Sequence, residues 1–211
     1  WDGLEPGTYE NKFWKFTMPE PMDELGFYVH MKPYQKPHPP IAVAGISVPS
    51  ESLIKAGQRG WWPLSIDFVP SNTLKSQWDV YEEASVSAGR SPNRDDWRIC
   101  RNVYIADTTE EARDFALNGV MARDFVTYFR LVMEKLGFLD FMKIDPDMPD
   151  DEIDLEYMVD NIWIVGSREE VSKKIRKLHS DTGGFGTLLA YSHEWEPRDK
   201  WINSMTILAE E

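Results

Sequence analysis

The sequence predicts an α/β protein built from repeated strand–helix units with parallel strands. Four short apolar runs are each followed by a stretch with helical start and stop signals, which is the order of successive βα units. The first of these runs is continuous rather than alternating in hydrophobicity, as expected for a strand buried on both faces. No run reaches the roughly 18 consecutive apolar residues that a membrane helix needs.

Composition agrees with a sizeable core in a chain of 211 residues, of which 42% are hydrophobic, and it excludes a disordered protein. The 23 basic and 36 acidic residues leave a net charge of −13, which argues against nucleic-acid and anionic-membrane partners. The single cysteine, Cys100, excludes an internal disulfide and fits a reducing compartment. We therefore expect a cytoplasmic protein.

The first forty residues predict a separate, irregular segment. Proline and glycine recur in it and break both helix and strand periodicity, while scattered aromatic residues indicate packing over an apolar surface. We therefore divide the chain into an aromatic and proline-rich segment, 1–40, and a regular domain, 41–211.

The regular domain opens with a strand over Ile41–Ile46. Ser47 and Ser50 follow, and a helix runs from there to a stop signal at Gly60. A second strand is predicted over Trp61–Ile66. The later elements are, in order, a helix from Ser71 or Asn72 to Ala88, a strand over Trp97–Ile105, a helix from Thr108 through about Leu136, an acidic surface loop over 137–152, a helix from Ser167 to about Ser180, a strand over Thr187–Tyr191 and a helix from Asp199 to Ala209.

Two architectures satisfy this order of elements: a doubly wound open sheet, or part of a (β/α)8 barrel. The dinucleotide-binding version of the open sheet loses support, because no Gly-x-Gly-x-x-Gly motif follows a strand. Four strands cannot close a barrel by themselves, and their edges would stay exposed.

In either architecture, ligands gather at the carboxyl ends of the parallel strands. That rule selects Ser47 and Ser50 after the first strand, Asp67 after the second, and His193 with Glu194 after the fourth. The two serines at a helix start suit a phosphate, and a simple helix cap is the alternative. His193 and Glu194 suit acid–base chemistry, with a solvated loop as the alternative. No metal site is predicted, because the histidines show no spacing with other ligands.

Seven segments resemble, in their order and spacing, the C-terminal half of bacterial luciferase-like flavin-dependent monooxygenases, especially the limonene monooxygenase-like branch. The resemblance covers about residues 33 to 211, and Arg168 stands where the family usually has proline. The segments are Pro37–Gly45, Thr108–Ala112, Ile164–Val171, Thr182–Leu189, His193–Trp195, Trp201 and Ser204–Met205.

The resemblance implies a (β/α)8 TIM barrel, of which this chain carries about the last four βα units. It also implies an enzyme that uses reduced FMN, supplied by a separate flavin reductase, and O2 to oxygenate a small organic substrate. The cofactor-binding residues that it implies are Gly45, Ile46, Ser47 and Ser50, although Ile46 stands where the luciferases place a glutamate. Residues 129–155 resemble the family's long active-site lid.

The resemblance leaves strands one to four of the family's barrel unmatched. We therefore expect the N-terminal half of the barrel, or a second subunit, as a partner, together with a dimer. The alternatives are a non-catalytic flavin-binding protein, a supporting subunit of a luciferase-like heteromer, and an oxidoreductase that uses a deazaflavin. Catalytic candidates are His193, Glu194 and Asp67.

Overall fold

The computed structural model of the chain describes residues 4–26 and 33–210. The chain divides into two compact units, Trp1–Ile41 and Ala42–Glu211. The packing of the first unit over a barrel stays a prediction, as does the irregular structure predicted for residues 1–3 and 27–32, which lie outside the described residues.

The first unit contains a β-hairpin where the sequence predicts irregular structure. Strands β1 (Gly7–Glu10) and β2 (Lys15–Met18) pair antiparallel, and the hydroxyls of Thr8 and Thr17 lie 3.0 Å apart. The carboxamide oxygen of Asn11 accepts two backbone N–H groups in the turn between the strands. The prediction was wrong for this stretch because four-residue strands are too short to show a periodicity among the prolines and glycines.

The second unit contains five strands and eight α-helices within the part of the chain that the structure describes. The strands are β3 (Ala42–Gly45), β4 (Trp62–Ser65), β5 (Arg98–Ile105), β6 (Ile164–Gly166) and β7 (Thr187–Tyr191). The helices are α1 (Glu51–Arg59), α2 (Ser71–Ser87), α3 (Thr109–Asn118), α4 (Val120–Asp124), α5 (Arg130–Leu136), α6 (Leu155–Asn161), α7 (Arg168–Thr182) and α8 (Arg198–Glu210).

All strand pairs of the second unit are parallel, as predicted. β3 pairs with β4 and β4 with β5, while β5 pairs with β7 over its first five residues and with β6 over its last three. The outer edges of β3 and β7 have no partner strand among the described residues. Because the strands point the same way, their carboxyl ends share one edge of the sheet, where ligand sites of such folds lie.

Strand β6 is absent from the sequence prediction. It consists of three buried residues, and the cap of α7 follows it at once: Ser167 Oγ accepts the backbone N–H of Glu170 at 3.4 Å. The prediction identified the cap but not the strand, because three apolar residues carry no measurable period.

The single long helix predicted from Thr108 to Leu136 was wrong. Its start is confirmed, since Thr108 Oγ1 accepts the Glu111 N–H at 3.1 Å, but α3 ends at Gly119, whose backbone is extended. A helix resumes with α4 and passes through one π-helical turn, Phe125–Phe129, into α5. A Cβ on Gly119 would lie 2.4 Å from the Phe115 carbonyl oxygen, so this sharp turn requires glycine.

The acidic stretch after α5 is packed rather than a fully solvated loop. Leu139, Met142 and Ile153 are buried, and Lys143 Nζ lies 2.7 Å from a carboxylate oxygen of both Asp140 and Asp150. The apolar residues spaced among the acids anchor the segment, which the charge pattern alone does not show. Its role as a lid stays a prediction.

The core lies between the sheet and its helices. Trp78, Trp97 and Trp201 are fully buried there, and Trp97 Nε1 donates to Ser65 Oγ at 3.0 Å, which joins the residue before β5 to the end of β4. Among residues 4–26 and 33–210, no helix combines the length and the apolar character needed to cross a bilayer.

Candidate functional site

A cavity of about 260 Å³ opens at the carboxyl edge of the sheet, where β4 and β7 end. This volume is just below the range of about 300–1,000 Å³ that is typical of small-molecule sites. Half of its ten lining residues are Phe, Tyr or Trp, and four are Asp, Asn or His. The lining residues are Asp67, Asn102, Asp124, Phe125, Tyr128, Phe129, Met158, Trp163, Tyr191 and His193.

The parallel sheet brings the polar lining residues together from distant parts of the sequence. Asp67 follows β4 by two residues, and His193 follows β7 by two residues. Asn102 lies on β5 level with Tyr191, the last residue of β7, because the two strands pair in that register. Asp124 is the last residue of α4, directly before the π-helical turn that supplies three of the aromatic wall residues. Such turns often occur at functional sites.

Four of these side chains form one continuous hydrogen-bonded chain. Asp124 Oδ2 lies 2.9 Å from His193 Nδ1, and His193 Nε2 lies 2.7 Å from Asn102 Oδ1. Asn102 Nδ2 in turn donates to Asp67 Oδ2 at 2.7 Å. The chain therefore connects two carboxylates through an imidazole and a carboxamide.

Both ring nitrogens of His193 are occupied by these contacts. The ring also packs edge-on against Tyr191, at 5.5 Å between ring centroids, and stacks near Trp201 at 6.1 Å. His193 therefore has no free nitrogen for a ligand in this arrangement.

Among the residues that line the cavity, Asp67 has a carboxyl pKa above its ordinary value, because burial raises it. The hydrogen bonds from its own backbone and from Asn102, with the charges of Arg101 and His193, oppose that effect without cancelling it. A carboxyl in such surroundings is a frequent feature of functional sites.

Arg101 lies behind Asp67 and is almost completely buried. Burial lowers its pKa to about 10, so the guanidinium keeps its charge at neutral pH. It donates to the carbonyl oxygens of Ile66 at 3.2 Å, Cys100 at 2.9 Å and Val69 at 2.8 Å. Arg101 thus fixes the main chain on both sides of Asp67.

Glu194, the third catalytic candidate, lies outside the cavity lining. Its carboxylate pairs with Arg123 at 2.9 Å, and Arg123 also pairs with Asp124 at 2.8 Å. Burial alone would raise the pKa of Asp124, but the hydrogen bonds from His193 and Arg123 outweigh it and hold that pKa below its ordinary value. Glu194 therefore reaches the site through Arg123 and Asp124.

The residues predicted to bind a phosphate follow β3 at the same edge of the sheet and are not part of the cavity lining. Ser47 Oγ donates to the Pro49 carbonyl oxygen at 2.9 Å and is half-buried. Ser50 is 1% exposed, occupies the cap position of α1 without capping it, and has its Oγ 3.2 Å from Ser52 Oγ. The carbonyl oxygen of Ile46 accepts from Gln77 Nε2 at 3.3 Å.

Gly45 is required by close packing at the end of β3. A Cβ there would lie 2.5 Å from Leu53 Cδ1 and 2.8 Å from Ser50 Oγ. The small residue thus lets α1 approach the sheet.

The sequence prediction missed Asn102, Asp124 and the aromatic wall. A polar Asn102 in the interior of an apolar strand was a usable signal. Asp124 carries no such signal, because the sequence predicts one uniform helix around it.

Comparisons with known proteins agree with this fold. A family model described as luciferase-like monooxygenase matches residues 1–184. The 3,6-diketocamphane 1,6-monooxygenase of Pseudomonas putida is 33% identical, covering 98% of this chain and 56% of that protein. The limonene 1,2-monooxygenase of Rhodococcus erythropolis is 25% identical, covering 87% of this chain and 45% of that protein.

A solved structure is similar over the same extent. It is described as a type II Baeyer-Villiger monooxygenase, the oxygenating constituent of 3,6-diketocamphane monooxygenase from the CAM plasmid of Pseudomonas putida, in complex with FMN. Its TM-score is 0.82 at 34% identity, covering 98% of this chain and 57% of that one. The predicted partial TIM barrel is thereby confirmed, and the chain spans about half the length of the relatives that it matches.

Proposed function

The chain belongs to the luciferase-like monooxygenase family, and from this membership we propose that it carries part of the active site of a flavin-dependent monooxygenase. This is the family that the sequence motifs predict. The proposed enzyme uses reduced FMN and O2 to oxygenate a small organic substrate.

The observation that carries this proposal is the composition of the cavity. Flat aromatic side chains supply faces for a planar ring system, and the polar chain from Asp124 to Asp67 supplies hydrogen-bonding groups for a heteroatom edge. These residues fit an isoalloxazine ring. Reduced FMN bound here would supply the electrons with which O2 is activated.

We assign the flavin phosphate to the loop between β3 and α1. The half-buried Ser47 hydroxyl and the free N–H groups of the first turn of α1 suit an anion. Gly45 and Ile46 belong to this loop through their backbone, while the buried Ser50 acts by holding the loop against Ser52. Glu51 in the first turn opposes an anion, so Ser47 carries the assignment.

The chain's own residues have separate roles in this proposal. The aromatic wall excludes water from the reacting groups. Asp67 offers a hydrogen-bonding carboxyl to the cavity, and His193 supports it from behind through Asn102. Glu194 acts from outside, through its ion pair with Arg123.

We assign a compact apolar ketone as the class of substrate. The relative from Pseudomonas putida is named for a diketone, and the cavity of this chain is lined mostly by apolar groups. Oxygenation would insert one atom of O2 beside the carbonyl and release the other as water, with two electrons from reduced FMN.

The proposed enzyme needs partners. A separate flavin reductase supplies reduced FMN, and strands from the N-terminal half of the barrel, or from a second subunit, cover the edges of β3 and β7, which have no partner strand among the described residues. We also propose a dimer, as in the expectation from the sequence.

The test is an anaerobic titration of the purified protein with reduced FMN, followed by the addition of O2 and a camphane-type diketone. Formation of the ring-expanded lactone supports the monooxygenase. Tight FMN binding without product, in protein whose barrel is complete by mass, indicates the non-catalytic flavin-binding alternative. Binding of a deazaflavin in preference to FMN indicates the oxidoreductase alternative.

A further inference from the structure

We propose that Asn102 is a positioning residue, which fixes Asp67 as the hydrogen-bond acceptor for a ring N–H of the bound ligand. The inference rests on the proposed flavin function, and it adds the group of the ligand that the site recognises. Oxidised isoalloxazine has one ring N–H donor, at N3, so for this ligand Asp67 would accept the hydrogen bond from N3–H.

The two ends of the Asn102 carboxamide are not interchangeable. Asp67, when ionised, can only accept hydrogen bonds, so the amide N–H group must face it, and the amide oxygen then faces His193 Nε2. Rotation of the amide by half a turn would place its oxygen against the ionised Asp67 carboxylate and break that contact. A single side chain thereby holds a carboxylate on one side and an imidazole N–H on the other.

Asn102 itself has little freedom to move. It is 4% exposed and lies within β5, level with the end of β7. His193 is fixed in turn by the 2.9 Å contact with Asp124. His193 therefore holds the amide oxygen of Asn102, while the amide N–H group donates to Asp67.

The main chain around Asp67 is fixed from the opposite side. Arg101 donates to the carbonyl oxygens of Ile66 and Val69, so the backbone of the loop stays in place when the Asp67 side chain moves. The remaining freedom of Asp67 is its side-chain rotation, and the 2.7 Å hydrogen bond from Asn102 removes it. The Asn102 amide and the backbone N–H of Asp67 use part of the acceptor capacity of this carboxylate, which has about four lone-pair sites, so capacity remains for a donor in the cavity that Asp67 lines.

A purely structural role makes a different prediction. If Asn102 served only to tie β5 to the loops after β4 and β7, any pair that restored the hydrogen bonds would restore the protein completely. If the position of the carboxylate matters, a pair with the amide and the carboxylate exchanged would restore the fold but not the recognition of the ligand.

The experiment compares Asn102→Leu with the exchange variant that combines Asp67→Asn and Asn102→Asp. FMN affinity is measured by quenching of flavin fluorescence, and folding by thermal unfolding. We expect Asn102→Leu to weaken FMN binding by about tenfold to a hundredfold, as for loss of a hydrogen bond to a charged group. We expect the exchange variant to recover the thermal midpoint of unfolding but not the full affinity, because the amide oxygen that Asp67→Asn turns towards the cavity is a weaker acceptor than a carboxylate.

A ligand that lacks the donor gives the second arm. FMN methylated at N3 should bind the wild-type protein about tenfold or more weakly than FMN, and the two ligands should bind Asp67→Ala alike. The matched control is Asn118→Leu, which removes an amide–carboxylate contact of the same kind, to Asp114 at 2.9 Å on exposed α3, and should leave both affinities unchanged.

The outcomes separate this proposal from the one on which it rests. Unchanged FMN affinity in Asn102→Leu, full recovery of affinity in the exchange variant, or equal binding of the methylated ligand by the wild-type protein would overturn the role of Asn102 while leaving the flavin function standing. Failure of the wild-type protein to bind FMN in any oxidation state would overturn both.

Discussion

Arg101 and Asn102, adjacent residues of β5, hold the loop after β4 from opposite faces of the sheet. The Arg101 guanidinium binds the main-chain carbonyl groups of Ile66 and Val69, and the Asn102 carboxamide binds the side chain of Asp67 between them. The alternation of side chains along a strand places the two on opposite faces. One short stretch of β5 therefore determines both where the loop runs and where its carboxyl lies.

Replacing Arg101 with methionine should lower the free energy of unfolding by about 3 kcal/mol. The apolar side chain would leave carbonyl oxygens of Ile66, Cys100 and Val69 without their buried donor, and each loss of this kind costs about 1–3 kcal/mol, with partial relief by water. Urea unfolding measures the change. Arg123→Met, at an exposed position, is the control and should lower the free energy of unfolding much less. Equal effects of the two changes would contradict the stabilising role of the buried hydrogen bonds from Arg101.

Asp67→Asn should stabilise the protein near neutral pH. Burial raises the folded pKa of Asp67 above that of the unfolded chain, so between these two values the folded state binds more protons, and stability falls as the pH rises through that window. The neutral amide removes this cost. In thermal unfolding, the midpoint of the variant should exceed that of the wild type at about pH 8. The difference between the two midpoints should become smaller towards about pH 4. A variant less stable than the wild type near neutral pH would show that hydrogen bonds and nearby charges compensate fully for burial of the ionised carboxylate.

The sequence predicted the repeating units because they depend on local signals. The capping residues Thr108 and Ser167 and the left-handed Gly60 after α1 were all identified correctly. The break at Gly119 was not, because a glycine inside an otherwise helical pattern does not reveal whether its backbone stays helical.

The candidate site was predicted in part for a similar reason. Asp67 and His193 were found because they directly follow strands, and the carboxyl-end rule needs only the position of the strand. Asn102 and Asp124 join them through the register of β5 with β7 and through the packing of α4 over that edge. Those relationships are long-range, and no local pattern contains them.

Gly45→Ala should lower the free energy of unfolding by about 1–3 kcal/mol, as is usual for overpacking. The new Cβ would meet Leu53 Cδ1 at 2.5 Å, inside van der Waals contact. Leu53→Ala creates space at that point, so the double variant should be more stable than the sum of the single changes indicates, by at least about 0.5 kcal/mol. Strict additivity in urea unfolding would show that α1 shifts instead of clashing.

Cys100 should react slowly with thiol reagents in the folded protein. Burial, aided by the charge of Asp67, raises the pKa of its thiol to about 11, so the thiolate is scarce at mildly alkaline pH. Reaction with Ellman's reagent should be at least about a hundredfold slower than in denaturant. Because Asp67 contributes to the raised pKa, Asp67→Asn should accelerate the folded-state reaction, and unaltered kinetics in that variant would leave burial as the sole cause.

Ser47→Ala should weaken binding of FMN but not of riboflavin, which has the same ring and ribityl chain without the phosphate. The Ser47 hydroxyl is half-buried and can turn from the Pro49 carbonyl to an anion, whereas the Ser50 hydroxyl is enclosed beside Gly45 and Ser52. Loss of one hydrogen bond to a charged phosphate corresponds to roughly a tenfold or greater loss of affinity. Ser50→Ala is the matched control: it should affect both flavins alike, through the shape of the loop. The double variant should then show the FMN-specific loss of Ser47→Ala added to a loss shared by both ligands. If Ser47→Ala weakens riboflavin as much as FMN, its hydroxyl supports the loop, and the phosphate lies elsewhere.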